Sequence, residues 1–328
     1  MKILSKILWA LLLLPALFLT SCSDKEVIDD PVAQDRFDIL KTYLIDNNMD
    51  LSVILTDWIT TAENVYTIMT DADATNDYYI IDIRSEDDYN NGHIEWAVNA
   101  TLGGILSAAQ NADGKPIIIA CYSGQGAGHA VTALRLSGFE DAKVLKWGMS
   151  SWNEATAGSW LNNTGDAAIG NANWEAPPGN LQANTAHDAP VIEYLEEDPA
   201  VILSEQVAKM LEGGFSGITN ESVLGTPANY FINNFWAIGD IEHYGHISSA
   251  YQVKPLTLAD GEYAYLDPEG KVVTYCWTGQ TSSIVTAYLT VLGYDAYSLM
   301  FGTNGMIYST LESHKYSTSQ IMGYPLAQ

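Results

Sequence analysis

The 328-residue chain predicts an α/β fold made twice over, two units that each hold a central parallel sheet flanked by helices. Three observations predict it. Short β-branched runs alternate with segments of helical period, the pattern of a parallel sheet covered on both faces. The order of those segments repeats between the two halves of the chain. Finally, two matching passages, "KPIIIACYSGQGAG" and "KVVTYCWTGQTSS", each place a cysteine after a strand-like run and before a helix-like one.

Taken in order, Lys2 and Lys6 precede an apolar stretch from Ile7 to Leu19 that is short for a membrane span, and "LTSC" ends at Cys22. This resembles a bacterial lipoprotein signal peptide over residues 1–21, with Cys22 as the lipid-bearing new N-terminus. An uncleaved anchor helix is the alternative, but small residues and a cysteine end the run where a span should continue. Acyl chains, at roughly 0.8 kcal/mol per buried methylene, can hold a domain on a bilayer surface. Residues 22–50 are acidic and weakly patterned, as in a tether with a possible short helix.

The first unit is expected over 51–160 and the second over 201–328, with a connection rich in Asn, Ala, Gly and Pro over 161–200. Trp174 and the Pro177–Pro178 pair suggest that this connection lies against a surface. "VILTDWITTAENVYTIM" from Val53 parallels "VILSEQVAKMLEGG" from Val201, with Thr56 and Ser204 as capping candidates. "IDIRSEDDYNNGHI" parallels "INNFWAIGDIEHYGHI". The cysteine passages follow, each closing on a glycine seventeen residues beyond its cysteine, Gly138 and Gly293.

Forty acidic residues against fourteen basic ones give a formal charge of -26, or -28 once Lys2 and Lys6 are removed. Such a surface repels phosphate backbones and anionic headgroups, which excludes nucleic acid as a partner and leaves the lipid anchor as the expected contact with a membrane. The expected location is the bacterial cell envelope, lipid-anchored, periplasmic or surface-exposed. In that oxidising setting a fold stapled by disulfides needs more than three cysteines, so Cys121 and Cys276 read as thiols kept for reactivity.

A cysteine between a strand end and a helix start faces amide groups that lack intrahelical partners and the positive end of the helix dipole. That placement is expected to lower the thiol pKa. Gly124 and Gly279, three residues on, allow the backbone to turn and aim its N–H groups inward. The chemistry asks for no metal and no organic cofactor.

These residues resemble the rhodanese family. The first unit matches from "IDIRSEDDYNNGHI" through "CYSGQGAG" to the closing "KWGMSSW"; the second matches less fully, through Gly-His-Ile, Cys-x-x-Gly and "LGYDAYSLMFG". The resemblance implies two tandem rhodanese-like domains and a sulfurtransferase reaction. In it a cysteine takes sulfane sulfur from a small donor such as thiosulfate or polysulfide, holds it as a persulfide and passes it to a thiol or cyanide acceptor. Carried over, Cys121 and Cys276 are the sulfur carriers. The main-chain amides of Tyr122, Ser123, Gly124, Gln125, Gly126 and Ala127, and of Trp277, Thr278, Gly279, Gln280, Thr281 and Ser282, form the cradle. Tyr122 and Trp277 offer apolar walls, and the hydroxyls of Ser123, Thr278 and Thr281 offer bonds to donor oxygens. Asp82, Arg84, His93 and His246 are supporting residues.

Two departures stand out. Neither loop carries the Arg or Lys that many active rhodaneses use to hold an anionic donor, and the second unit lacks the Asp82/Arg84 pair. A lost charged contact costs roughly 1.5–3 kcal/mol, so thiosulfate turnover is expected to be poor. A cysteine phosphatase needs an arginine about six residues after its cysteine, where this chain has Ala127 and Ser282.

Blander readings stand beside these. A cysteine here can be a buried apolar thiol ending a strand. The alternative to an enzyme is a non-catalytic binding module or a thiol redox sensor. A Cys121–Cys276 disulfide is disfavoured, since equivalent loops of tandem domains need not face each other. His93 and His246 read as imidazoles bridging backbone groups, Arg84 as the partner of Asp82, Glu86 or Asp87, and Trp147, Trp152 and Trp160 as core of the first unit. In "DIEHYGHI" only His243 adds to Asp240, Glu242 and the structural His246, too little for a metal site.

Overall fold

The computed structural model describes residues 31–75, 77–177, 179–193 and 197–328. The signal-like run, Cys22 and Pro178 lie outside the described residues. Residues 32–328 form one compact unit.

Its first sheet holds β1 (Ile59–Thr60), β2 (Tyr79–Asp82), β3 (Val98–Asn99), β4 (Ile117–Ala120) and β5 (Lys143–Leu145), all parallel, in the order β1-β5-β4-β2-β3. A short β6 (Trp174–Glu175) pairs antiparallel with β9 (His246–Ile247). The second sheet holds β7 (Gly217–Ile218), β8 (Phe231–Asn234), β10 (Ala250–Tyr251), β11 (Val272–Tyr275) and β12 (Ala296–Leu299), again parallel, in the order β7-β12-β11-β8-β10. The two orders are the same path through the sheet. Each central strand, β4 or β11, is buried at every residue, which is why it reads as an unbroken apolar run instead of alternating.

Register fixes where the cysteines emerge. Ala120 pairs with Asp82, and Tyr275 pairs with Asn234, so Cys121 and Cys276 leave their sheets at equivalent levels. The chain then turns through Gly124 (φ +84) and Gly279 (φ +76) into the helices Gln125–Leu136 and Gln280–Val291. These two helices pack on each other. Gly128 lies where any Cβ would strike the Ser283 side chain, so a small residue is what allows the close approach. Val131 and Leu134 share one hydrophobic core with Ile284, Val285 and Tyr288.

Three expectations change here. The possible short helix of the acidic tether is a sixteen-residue one, Pro31–Asp46, and its Phe37, Leu40 and Leu44 are fully buried in that shared core. A spacing of three and four among polar residues is a helical stripe, and packing decides it despite the surrounding charge. Thr56 and Ser204 cap nothing: each hydroxyl turns back onto a preceding carbonyl, Ser52 and Val201. Thr61 and Asp198 are the residues that cap the helices Ala62–Thr70 and Pro199–Gly213. The third change is at the chain's end, where residues 316–328 leave the second half and bind the first: His93 and Ala327 exchange both backbone bonds.

The described residues of the connection lie along the second half. Ala168 N–H donates to Met306, Gln182 to Ala250 and His187 to Ala264, while Ile192 is buried in the shared core. Among the described residues, no helix is long and apolar enough to cross a membrane.

Candidate functional site

The helices Gln125–Leu136 and Gln280–Val291 have glycine at the N-cap, Gly124 and Gly279, which brings no side chain to cap them. Sulfur takes that place. Cys121 Sγ accepts from the N–H of Gly124 at 3.0 Å and of Ala127 at 3.4 Å, and Cys276 Sγ accepts from the N–H of Ser282 at 3.4 Å. Ala127 and Ser282 are the third residues of their helices, where a capping oxygen ordinarily bonds. Both cysteines are free and nearly inaccessible, 4% and 3% exposed.

The thiol of Cys121 does not follow the expectation of a lowered pKa. Burial pushes it up, and this outweighs the opposing pull of the amides of Ala127, Ser123 and Gly124; the Asp82 carboxylate adds to the rise. The amide cradle is present, but burial disfavours a thiolate there more than the amides favour it.

Asp82 and Arg84 form a buried pair in which the guanidinium grips the carboxylate (Nη2–Oδ2 2.6 Å) and also donates to the Gly92 carbonyl at 2.7 Å. Arg84 is thereby committed to the strand end. Asn234 and Trp236 stand at the matching positions of the second half, where neither amide atom of Asn234 nor the indole N–H of Trp236 has a partner. His93 stacks on Tyr89 and bonds its carbonyl at 3.0 Å, and His246 bonds the Ile247 carbonyl at 2.9 Å. The bonds of both imidazoles go to backbone outside the cysteine loops. Among the described residues, no three His, Cys, Asp or Glu gather as a metal set.

Tyr122 stands 43% exposed at the mouth of the first loop, and its hydroxyl donates to Asp88 at 2.5 Å. With Ser85, the larger influence, it holds the Asp88 carboxyl below the usual carboxylate range. Trp277 instead packs into an aromatic cluster with Trp236 (4.3 Å), Tyr244 (5.5 Å) and His314 (5.0 Å). Of the loop hydroxyls, Ser123 accepts from the Gln125 side chain and Thr278 accepts from the Gln280 N–H. Trp147, Trp152 and Trp160 are buried, though Trp147 and Trp160 cluster with Tyr316 from the far end of the chain.

Two residues named only for their amides matter through their side chains. Gln125 reaches out of the first loop and accepts from the Phe301 N–H at 2.7 Å; Gln280 reaches out of the second and donates to the Ser123 carbonyl at 3.0 Å. The cysteine loops therefore clasp each other through these two side chains, while both thiols stay free. The glutamine repeated one place after Gly124 and Gly279 is the signal that could have revealed them.

A family model described as "Rhodanese-like domain" matches residues 61–155. The thiosulfate sulfurtransferase GlpE of Shewanella oneidensis is 37% identical over 79 residues, which are 24% of this chain and 78% of that protein. Among solved structures, a thiosulfate sulfurtransferase from Pseudomonas aeruginosa aligns at 13% identity and a TM-score of 0.28 over 90% of this chain and 49% of its own. The 3-mercaptopyruvate sulfotransferase SseA from Escherichia coli aligns at 17% and 0.27 over 76% and 98%. On the matched domain and the identity across most of that relative, the chain belongs to the rhodanese-like family of sulfurtransferases.

Proposed function

We propose that this protein moves sulfane sulfur from a small donor to a thiophilic acceptor through a cysteine persulfide, using Cys121 and Cys276 in two tandem rhodanese-like halves. The observation that carries this is the pair of sulfurs aimed at helix-start amides, Cys121 at Gly124 and Ala127 and Cys276 at Ser282. A terminal persulfide sulfur is an anion, and amides already turned toward Sγ supply what it needs.

In the forward step the cysteine thiolate attacks the outer sulfur of the donor. A new S–S bond forms, the donor's own bond to that sulfur breaks, and the electron pair leaves with the departing group. In the second step the acceptor attacks the terminal sulfur and the cysteine thiolate is released. No electrons are left over. With no cation in either loop and a formal charge of -26, a neutral or low-charge sulfane-sulfur carrier suits the site better than thiosulfate. Lipidation at Cys22 would place this chemistry at the bacterial cell envelope.

Mass spectrometry of wild-type, Cys121→Ser and Cys276→Ser proteins after polysulfide or thiosulfate tests the proposal. Each remaining cysteine should gain one sulfur atom, released again by cyanide. If neither gains sulfur from any donor, the chain is a binding or redox-sensing relative and not a transferase.

A further inference from the structure

Behind Cys276 the second half carries hydroxyls where the first half has hydrocarbon. Cys276 Sγ lies 3.6 Å from Ser282 Oγ, which lies 2.8 Å from Ser298 Oγ, which in turn donates to the Gly279 carbonyl at 3.4 Å. Ser282 and Ser298 are fully buried, and so is Thr274, the register neighbour of Ser298 on β11, whose hydroxyl has no partner. The equivalent residues around Cys121 are Ala127, Val144 and Ile119, and all three are buried. A buried hydroxyl is expensive unless it is hydrogen-bonded, and the contact that ends this chain on the Cys276 side is the sulfur itself.

We infer that Ser282 is a second, side-chain donor to the ionised Cys276 sulfur, held to that task by Ser298, and that the hydroxyl pair makes Cys276 the more reactive of the two cysteines. With the thiol protonated, S–H points to Ser282, Ser282 to Ser298 and Ser298 to the Gly279 carbonyl. When the thiol proton leaves to water at the loop mouth, the chain reverses: Ser298 donates to Ser282, and Ser282 donates to the sulfur. The long contact to Gly279 is the one given up.

Ser282 touches the reacting atom, whereas Ser298 acts through it and is a positioning residue. Asn234 replaces the carboxylate that Asp82 sets near Cys121, and Gln125 and Asn304 are uncharged. His314, stacked on Trp277 within the fields of Lys146, Asp240 and Lys254, is held below the ordinary imidazole range mainly by burial, so it stays neutral where thiols ionise.

This rests on the transferase reading of the same site, and a thiol measurement separates the two. Alkylation of both cysteines by iodoacetamide is followed against pH in the full-length protein, resolved by peptide mass. Access is comparable, so in the wild type Cys276 should react faster than Cys121. Ser282→Ala should slow Cys276 about tenfold near neutral pH and displace its rate profile to higher pH. Ser298→Ala should do the same by about threefold, and Ser282→Thr should restore the rate. Cys121 in the same digest should not change, and its constancy reports an intact fold. If Ser282→Ala fails to fold, Ser298→Ala and Ser282→Thr decide alone. Cys276 profiles that superimpose on wild type in the folded variants overturn the inference. Sulfur uptake from polysulfide in the same samples reports separately on the parent reading: displacement without uptake supports the hydroxyl pair and removes the transferase, and uptake without displacement removes the pair alone.

Discussion

Cys121 sits between two opposed fields, and their balance makes its behaviour predictable. Burial disfavours the thiolate more than the three amides favour it, so the folded protein holds the thiol proton more firmly than the unfolded chain does. Such a group contributes stability that is complete below the ordinary thiol pKa and is lost as pH rises through the folded value. The melting temperature of the wild type should therefore fall on the alkaline side more steeply than that of Cys121→Ser, and Cys121 alkylation should keep accelerating well above neutral pH. His129 gives the opposite limb. Its ring is fully buried with Nδ1 unpartnered, and desolvation brings its pKa down to about 3. The unfolded imidazole then takes up a proton that the folded one refuses, so stability is complete above about pH 6.5 and drains as pH falls toward 3. The drain is on the order of a few kcal/mol; His129→Gln should flatten the acid limb of a denaturation-midpoint profile, and an unchanged slope would show that other groups govern it. The place of each cysteine could be read from the sequence because strand, glycine and helix signals bracket it. The direction of the Cys121 shift could not, since desolvation depends on what covers the sulfur, and Asp82 arrives from another strand.

At the level of elements, the cysteine loop is shaped by a turn that comes much later in the chain. After β5 the backbone passes through Trp147 (φ +66) and Gly148 (φ +60), and the Met149 N–H then donates to the Cys121 carbonyl at 2.7 Å. A Cβ at Gly148 would run into that carbonyl and into the Ser123 and Gly124 amides. Gly148→Ala should therefore cost about 1–3 kcal/mol and spread the first cradle, with the proposed sulfur uptake lost at Cys121 and retained at Cys276. Equal loss at both would show that the clasp through Gln125 and Gln280 transmits the distortion. The sequence made this turn legible as a motif, "KWGM" answering "MFGT", but not as a wall of the site, because the contact joins segments brought together only by the sheet order. The capping error has the same origin. Thr56 and Thr61 are equally good caps locally, and only the start of β1 between them decides which one precedes a helix.

For the whole molecule, the repeat was visible and its consequence was not. Self-similarity shows that two units exist, whereas it carries no information about which faces meet. Here the helices Gln125–Leu136 and Gln280–Val291 meet, and each half lends an arm to the other. Phe37 of the first helix lies against Tyr263 (5.2 Å), and Asp50 accepts from the Leu258 and Ala259 amides. In return Tyr316 stacks on Trp160 (5.2 Å) and donates to the Ser150 carbonyl, while Tyr324 stacks on Tyr66 (3.9 Å) and Leu326 joins the core around Trp152. Removal of residues 316–328 would uncover Trp152 and Trp160 and strip three large side chains. At roughly 1.5–3 kcal/mol for each fully buried chain, and somewhat less for the half-buried Tyr324 and Leu326, the loss is several kcal/mol. That is comparable with the whole margin of about 5–15 kcal/mol by which a folded protein is stable. Trp160 also donates to the Ser123 carbonyl at 3.0 Å, the same atom that Gln280 holds, so the damage should reach the first cysteine loop directly. Chemical denaturation of the truncated chain should show a lower midpoint, and Cys121 should lose its protection from alkylation before Cys276 does. Loss at Cys276 first, or a midpoint unchanged from the full chain, would mean that the tail is an ornament on a first half that stands by itself.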